Sequence, residues 1–333
     1  MTRHLNIGTR GSELALFQAH AVADLLRARS GVECEIVIIK TSGDLLAEAP
    51  LSQIGGKRLF VKEIEDALLN GTVDVAVHSS KDMPALMPAG LAIGAVLPRE
   101  DPRDALVLPD VRRAAPAARP DPASDGPAGD ALQRLAAARI GTSSVRRIAQ
   151  LKRVLPGATF GPVRGNLGTR FRKLDEGGFD ALVLAAAGLR RLGQESRISA
   201  LLPVAACVPA PGQGIIAVEI RSDDAGTRDV VAKADDALAG AALVAERMVV
   251  ERLGGGCQMP IGAYAATAGG VLSLIAVVLS IDGNRAVTSA QSGPLADAAA
   301  IGLRAAKELL AGGAGDILAE VERVRVGVEG LQP

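Results

Sequence analysis

The sequence predicts an α/β protein: two α/β domains of related design facing each other across a cleft, then a smaller α+β domain with an antiparallel sheet. Three observations carry this. Strand-like and helix-like patterns alternate through the first hundred residues. Two short motifs from that region return later in the same order. From about Asp236 the pattern changes to a long helix, strands and two further helices.

Apolar runs at Leu5–Gly8, Glu35–Ile39, Val73–Val77 and Leu91–Leu97 predict buried strands. Between them, Ser12–Arg29 reads as a helix with Leu14, Phe17, Ala21 and Leu25 on one face. Lys57–Asn70 reads as a second helix, stopped by Gly71. Both ends of this region are echoed later in the chain. Ile7-Gly8-Thr9-Arg10-Gly11-Ser12 returns as Ile140-Gly141-Thr142-Ser143-Ser144, each time closing a strand and opening a helix. Asn70-Gly71-Thr72-Val73-Asp74-Val75 returns as Glu176-Gly177-Gly178-Phe179-Asp180-Ala181, each time closing a helix and opening a strand. Pro109–Asp130, rich in Pro, Ala, Asp and Arg, has too little apolar periodicity to pack and reads as a mobile surface insertion. Ile215–Ile220 reads as a strand returning to the first sheet. Leu238–Leu253 is a long helix leading to a cysteine loop, and Val271–Ile281 and Ala286–Ser292 are antiparallel strands. Two helical stretches come after Leu295. The expected domains are 1–98 with 215–235, then 99–214, then 236–333.

Composition excludes several functions. Lysine plus arginine (37) balances aspartate plus glutamate (37), so no global field draws the chain to nucleic acid or an anionic membrane. Aromatics are 2% with no tryptophan, which argues against a base-stacking surface. Three cysteines argue against a disulfide framework and favour a reducing compartment. Met1 to Ile7 runs into strand-like sequence with no signal-peptide core. The uncharged stretch Ser199–Val218 is broken by Pro203, Pro209 and Pro211. Val271–Ile281 is shorter than the about 20 residues a bilayer span takes. The expectation is a soluble, cytoplasmic protein. His4, His20 and His78 are scattered and there is no CxxC or HxxxH, so no metal site is expected.

Cys257 lies in Leu253-Gly254-Gly255-Gly256-Cys257-Gln258-Met259-Pro260, where glycines and proline rule out a helix or central strand. A thiol on such a loop can meet a partner outside the fold, or it can be a bystander. The echoed Gly-Thr-Ser turns put hydroxyls and N–H groups at helix starts, which favour anions. Arg10, Arg146 and Arg147 flank those turns, and Arg164, Arg170, Arg190 and Arg191 lie at further loop-to-helix junctions. Guanidinium groups clamp carboxylates or phosphates, so a ligand with several negative charges is implied. Solvated helix faces account for Arg27, Arg29, Arg172 and Lys173. Val77-His78-Ser79-Ser80-Lys81-Asp82-Met83-Pro84 leaves a strand at its C-terminal end, where open α/β sheets place ligand residues. Asp82 there can hold a cationic or N–H-bearing group. The alternative is an exposed turn in which Asp82 caps the next segment of chain.

Nine segments, in order, resemble the porphobilinogen deaminase (hydroxymethylbilane synthase) family. They are GTRGSELALFQAH (8–20), GGKRLFVKEIEDALL (55–69), VHSSKDMP (77–84), REDPRDAL (99–106), GTSSVRR (141–147), VRGNLGTR (163–170), AAGLRRLG (186–193), PAPGQG (209–214) and GGGCQMPIGAY (254–264). The resemblance implies two domains like a two-lobed periplasmic-type binding protein, and a third holding the cysteine. It implies a dipyrromethane cofactor joined by a thioether to Cys257. Four porphobilinogens then add head to tail with loss of ammonia, and hydroxymethylbilane is released. Carried onto this sequence, Asp82 would hydrogen-bond pyrrole N–H groups and stabilise positive charge as ammonia leaves and the azafulvene forms. Arg10, Arg164 and Arg170 would bind substrate carboxylates and assist proton movement, with Ser12, Gln18 and Phe60 nearby. Lys81, Thr142, Ser144, Arg146, Arg147 and Arg191 would cradle the cofactor and growing chain. Monomer is the family default.

The sequence departs from the family at Gln53, where lysine is common, and at Arg58, where a small residue is. The Pro109–Asp130 insertion is longer than usual. The rival reading is a two-lobed receptor for a small polyanion, without catalysis. Such a receptor has no use for a glycine-flanked cysteine facing the cleft.

Overall fold

A computed structural model describes residues 4–42, 61–110, 132, 135–256 and 258–329. Phe60, Gln53, Arg58, Cys257 and positions 111–130 of the expected insertion lie outside the described residues.

The first lobe is built on β1 (His4–Thr9), β2 (Glu33–Ile38), β3 (Val75–Ser79), β4 (Leu91–Val96) and β10 (Ile216–Arg221), in the order β2-β1-β3-β10-β4. Strand β1 runs parallel to β2 and β3, and β10 runs antiparallel to both of its neighbours. The expected return of Ile215–Ile220 to the first sheet is therefore realised. The second lobe repeats the plan with β5 (Asp104–Val107), β6 (Arg139–Gly141), β7 (Thr159–Gly161), β8 (Ala181–Ala185) and β9 (Ala200–Leu201), in the order β7-β6-β8-β5-β9. Here β6 is parallel to β7 and β8, and β5 is antiparallel to β8 and β9.

The sequence echo has a physical cause in this repetition. Asp74 accepts a hydrogen bond from the Asn6 amide at 2.9 Å, and its own amide returns one to the Asn6 carbonyl at 2.9 Å. Asp180 does the same with Arg139, at 2.8 Å both ways. Each aspartate pins the strand that follows it to its parallel neighbour, β3 to β1 in the first lobe and β8 to β6 in the second. A Cβ on Gly8 would come 3.1 Å from Val73, and one on Gly141 would come 3.0 Å from Phe179 and 2.4 Å from Leu182. The echoed glycines thus pack against the residue preceding each echoed aspartate.

Helices α1 (Glu13–Ser30) and α2 (Lys62–Leu69) accompany the first sheet. Helices α3 (Val145–Val154), α4 (Leu167–Asp175) and α5 (Ala186–Arg191) accompany the second, and α6 (Ala225–Val231) comes after β10. Gly71 takes φ 78 just past the end of α2. On α1 the fully buried apolar residues are Ala19, Val22, Ala23 and Leu26; of the face read from the sequence, Ala21 and Leu25 pack against that same core, Leu14 is partly covered, and Phe17 is 43% exposed. The helix is apolar on two sides because it serves two contacts. Its other side meets the second lobe, where Leu14 approaches Gly188 of α5.

The third unit packs α7 (Ala237–Leu253) and α8 (Ala298–Ala311) against a sheet of β11 (Ile261–Ala268), β12 (Val271–Leu279) and β13 (Ala286–Pro294), with α9 (Ala314–Glu329) beside them. Strand β11 was not anticipated. It joins β12 through Gly269 and Gly270, at φ 57 and 80, a two-residue hairpin turn that needs left-handed backbone at both positions. Asp236 caps α7 by accepting from the Ala239 amide, and Gly254 ends it at φ 65. A Cβ on Gly255 would lie 2.4 Å from Ile261, so the segment leading to position 257 lies tight against β11. Among the described residues no helix is long and apolar enough to cross a membrane.

Candidate active site

The Asp82 turn begins where β3 ends. Ser80–Asp82 forms a single 3₁₀ turn, held at both sides by buried residues, Ser80 (3% exposed) and Met83 (4% exposed). The Ser80 amide donates to the Ile215 carbonyl at 3.0 Å, fixing the turn to the strand pair. With its flanks pinned inward, Asp82 projects to solvent. No helix comes directly after the turn, so Asp82 has nothing to cap. Behind it, Gln18 of α1 is 2% exposed and its Nε2 donates to Ser79 Oγ at 2.8 Å. Gln18 therefore braces the base of the turn. Arg10 and Ser12 lie just past β1, the parallel neighbour of β3, so they emerge at the same sheet edge. Ser12 caps α1 by accepting from the Ala15 amide at 3.3 Å.

Lys81 links the two lobes electrically. By surface area it is half-buried, but its ammonium lies deep among protein atoms. Burial pulls it down to about 8, with Asp82 opposing; Arg147 and Arg146 reinforce the fall and Asp104 opposes it. Those last three belong to the second lobe. Arg170 belongs to the same neighbourhood. Burial lowers it first, then Arg147, while Asp82 acts the other way. Lys81, Asp82, Arg146, Arg147 and Arg170 thus gather where the lobes meet.

On the second lobe, Thr142 is buried after β6 and its Oγ1 accepts from the Ser144 amide at 3.3 Å. Ser144 caps α3, accepting from the Arg147 amide at 3.4 Å. Both arginines of the first turn reach the carboxylate of Asp104, which is fully buried. Arg146 Nη1 lies 2.8 Å from Oδ2, and Arg147 Nη2 lies 2.8 Å from Oδ1. Burial would raise the Asp104 carboxyl, but Arg146 and Arg147 hold it well below the usual carboxylate range. Arg146 Nε is buried with no hydrogen-bond partner among the described residues. Arg170 Nε donates to the Gly165 carbonyl at 2.9 Å, and the Arg164 carbonyl accepts from Lys173 at 3.4 Å. Arg191 Nη2 donates to the Gly214 carbonyl at 2.6 Å, and burial, opposed by Glu100, lowers it to about 10. It stands at the crossover between lobes, apart from the Lys81 group.

Sequence reasoning missed the buried carboxylates beneath these groups. Asp104 opens the apolar run Ala105–Leu108, and a carboxylate entering a buried strand must be paired. Glu246 is likewise fully buried, with Arg99 Nη1 at 2.5 Å and the amides of Gly212 at 2.6 Å and Ala265 at 2.7 Å. The sequence signal for Glu246 was weak, because α7 also carries Arg247, Glu251 and Arg252.

Known proteins resemble this chain along nearly its whole length. The chain is 44% identical to the porphobilinogen deaminase of Syntrophobacter fumaroxidans over 322 residues, covering 96% of this chain and 99% of the relative. It is 48% identical to that of Desulforudis audaxviator over 332 residues, covering 98% and 100%. Similarity to solved structures is fainter. The VFT2 domain of Bordetella pertussis BvgS gives a TM-score of 0.39 at 18% identity, over 70% of this chain and 86% of that one. A second substrate binding domain of a putative amino acid ABC transporter from Streptococcus pneumoniae gives 0.42 at 13%, over 69% and 91%. Residues 5–229 match the family description "Porphobilinogen deaminase, dipyromethane cofactor binding domain" and residues 241–311 match its C-terminal domain. With both parts matched in order across two lobes and a third unit, the chain belongs to the porphobilinogen deaminase family.

Proposed function

We propose that this chain is a transferase that condenses four porphobilinogen molecules head to tail on a dipyrromethane primer thioether-linked to Cys257, releasing hydroxymethylbilane. The observation that carries the reading is the meeting of the Asp82 turn with Lys81, Arg146, Arg147 and Arg170 between the lobes. Each addition breaks the aminomethyl carbon–nitrogen bond and the C–H bond at the accepting pyrrole's free α-carbon, forms one carbon–carbon bond between them, and the displaced proton leaves with the amino group as ammonia.

The residues fit the primer. Its acetate and propionate groups suit buried guanidinium and ammonium donors, and the buried Arg146 Nε without a partner is one donor such a group can satisfy. When bound, the primer supplies a nucleophilic pyrrole carbon. Asp82, the exposed carboxylate of the cluster, accepts from pyrrole N–H groups and offsets positive charge as ammonia departs. Lys81, Thr142, Ser144, Arg146, Arg147 and Arg191 hold the primer and growing chain. Arg10, Arg164 and Arg170 hold the incoming carboxylates, with Ser12 and Gln18 on the β1 side of the site, and the family resemblance adds Phe60 to this set. We read 1–98 with 215–235, 99–214 and 236–333 as the three domains, each around one sheet. We place the protein in the cytoplasm as a monomer, in keeping with its sparse cysteines and the family default.

Intact mass and turnover test the reading. Purified protein should exceed its sequence mass by one dipyrromethane, and Cys257→Ala should remove both the excess and bilane production while leaving the fold. Asp82→Asn should keep the mass excess and lose about 100-fold or more in kcat. A wild-type protein of sequence mass that binds porphobilinogen without turnover would return the reading to the receptor.

A further inference from the structure

We propose that Asp104 is a positioning residue, a buried carboxylate that aims the guanidinium groups of Arg146 and Arg147 at the carboxylates of the bound pyrrole chain. The inference rests on the function proposed above and adds a residue to it.

The local sequence creates a problem that Asp104 solves. Arg146 and Arg147 sit in the first turn of α3, which carries no acidic residue there. That is the positive end of the helix, where cations are disfavoured, and the two guanidiniums also repel each other. Both are nonetheless buried, 4% and 8% exposed. Asp104 makes this possible. Its Oδ1 accepts from Arg147 Nε at 3.0 Å, Arg147 Nη2 at 2.8 Å and Gln213 Nε2 at 2.9 Å. Its Oδ2 accepts from Arg146 Nη1 at 2.8 Å and from the Cys207 thiol at 3.3 Å. Arg147 Nη1 donates to the Val183 carbonyl at 3.0 Å and Arg146 Nη1 to the Val208 carbonyl at 2.7 Å. The planar forks are therefore held in one orientation each.

The charge count points to a ligand. A buried ion pair kept only for the fold is closest to neutral, because an unpaired buried charge is costly. Here one carboxylate serves two guanidiniums, leaving one positive charge over; Lys81 and Arg170 nearby add two more and Asp82 offsets one of them, so the group remains positive. Asp104 offsets enough repulsion to let the arginines stay, but not enough to satisfy them. Bound carboxylates complete the balance.

The competing role is a staple. Gln213 and Cys207 lie on the chain returning to the first lobe, and Asp104 lies on the chain leaving it. Two variants separate the roles. Asp104→Asn keeps size and hydrogen bonding but loses the charge. Gln213→Met removes the crossover link and leaves both arginine contacts. Each is prepared free of primer, incubated with porphobilinogen, and followed by intact mass for primer uptake, then assayed once loaded.

For Asp104→Asn the expected result is primer uptake slowed at least tenfold, kcat lowered about 100-fold as positioning is lost, and KM for porphobilinogen within threefold of wild type. Gln213→Met should take up primer at the wild-type rate. Wild-type uptake and turnover in Asp104→Asn overturns the proposal, and so does a Gln213→Met variant that reproduces the Asp104→Asn losses. Should Asp104→Asn not fold, Asp104→Glu keeps the charge and moves the carboxylate out of register with the two forks by one methylene. Slow uptake in it supports the proposal, and normal uptake overturns it. A wild-type protein that never gains primer mass fails the functional reading instead, a distinct outcome.

Discussion

At the scale of single residues, Lys81 gives the sharpest pH prediction. Its ammonium is lowered from 10.5 to about 8, first by burial. The folded protein sheds this proton near pH 8 while the unfolded chain keeps it to about 10.5, so Lys81 opposes folding below pH 8 and that opposition fades as pH rises through the window. Its use to an anionic ligand fades over the same window. Arginine stays charged throughout, so the ratio of kcat/KM in Lys81→Arg to that in wild type should be flat below pH 7 and climb through pH 8. Comparing the two enzymes cancels the substrate's own titration. A ratio that stays flat from pH 6 to 10 would remove Lys81 from the charged cradle. The exposed or turn-borne groups, Asp82, Arg10 and the Ser144 cap, were legible in the sequence because glycine and hydroxyl residues mark turns in the chain itself. Asp104 was not, because what makes it informative is full burial between two guanidiniums, a property of the assembled fold.

At the scale of elements, the repeated motifs were readable because each sits at a forced geometry. Gly141 closes β6 with no room for a side chain, since a Cβ would lie 2.4 Å from Leu182 and 3.0 Å from Phe179. Its counterpart Gly8 has more slack, its nearest neighbours being the Ile39 δ-methyl and a Val73 γ-methyl, each 3.1 Å away. Overpacking of this kind costs about 1–3 kcal/mol. Gly141→Ala should therefore lower stability by about that amount in urea unfolding, and Gly8→Ala by clearly less. No loss in Gly141→Ala would show that the echo is not a packing constraint. Strand β11 escaped notice for the opposite reason: Ile261–Ala268 is mostly glycine and alanine, with no strong alternation, and becomes a strand by pairing with β12. The apolar face read on α1 coincides only in part with its core side: Ala21 and Leu25 pack on the sheet's core while Leu14 approaches the opposite lobe, and only the packed structure distinguishes the two.

At the scale of the molecule, the two lobes are joined through two crossovers, and Glu246 is where the third unit ties into both. It is fully buried on α7 of the third unit. Arg99 on the outgoing crossover donates to it at 2.5 Å, the Gly212 amide on the return crossover at 2.6 Å, and the Ala265 amide on β11 at 2.7 Å. Arg99 also donates to the Gln213 carbonyl at 2.9 Å and stacks 5.0 Å over the Tyr264 ring. Removing the carboxylate strands a guanidinium that is only 12% exposed and leaves two amides without their acceptor. Breaking a buried pair in this way costs about 3–5 kcal/mol. Because the lost contacts are the ones between units, the loss should also weaken cooperativity. Glu246→Ala should melt at a lower temperature and in two calorimetric transitions, with the third unit separating from the two lobes. Glu246→Gln, which keeps an acceptor for one amide, should melt between Glu246→Ala and wild type as a single transition. If Glu246→Ala instead melts once, at the wild-type midpoint, the three units are held together by their apolar contacts and the buried carboxylate is incidental.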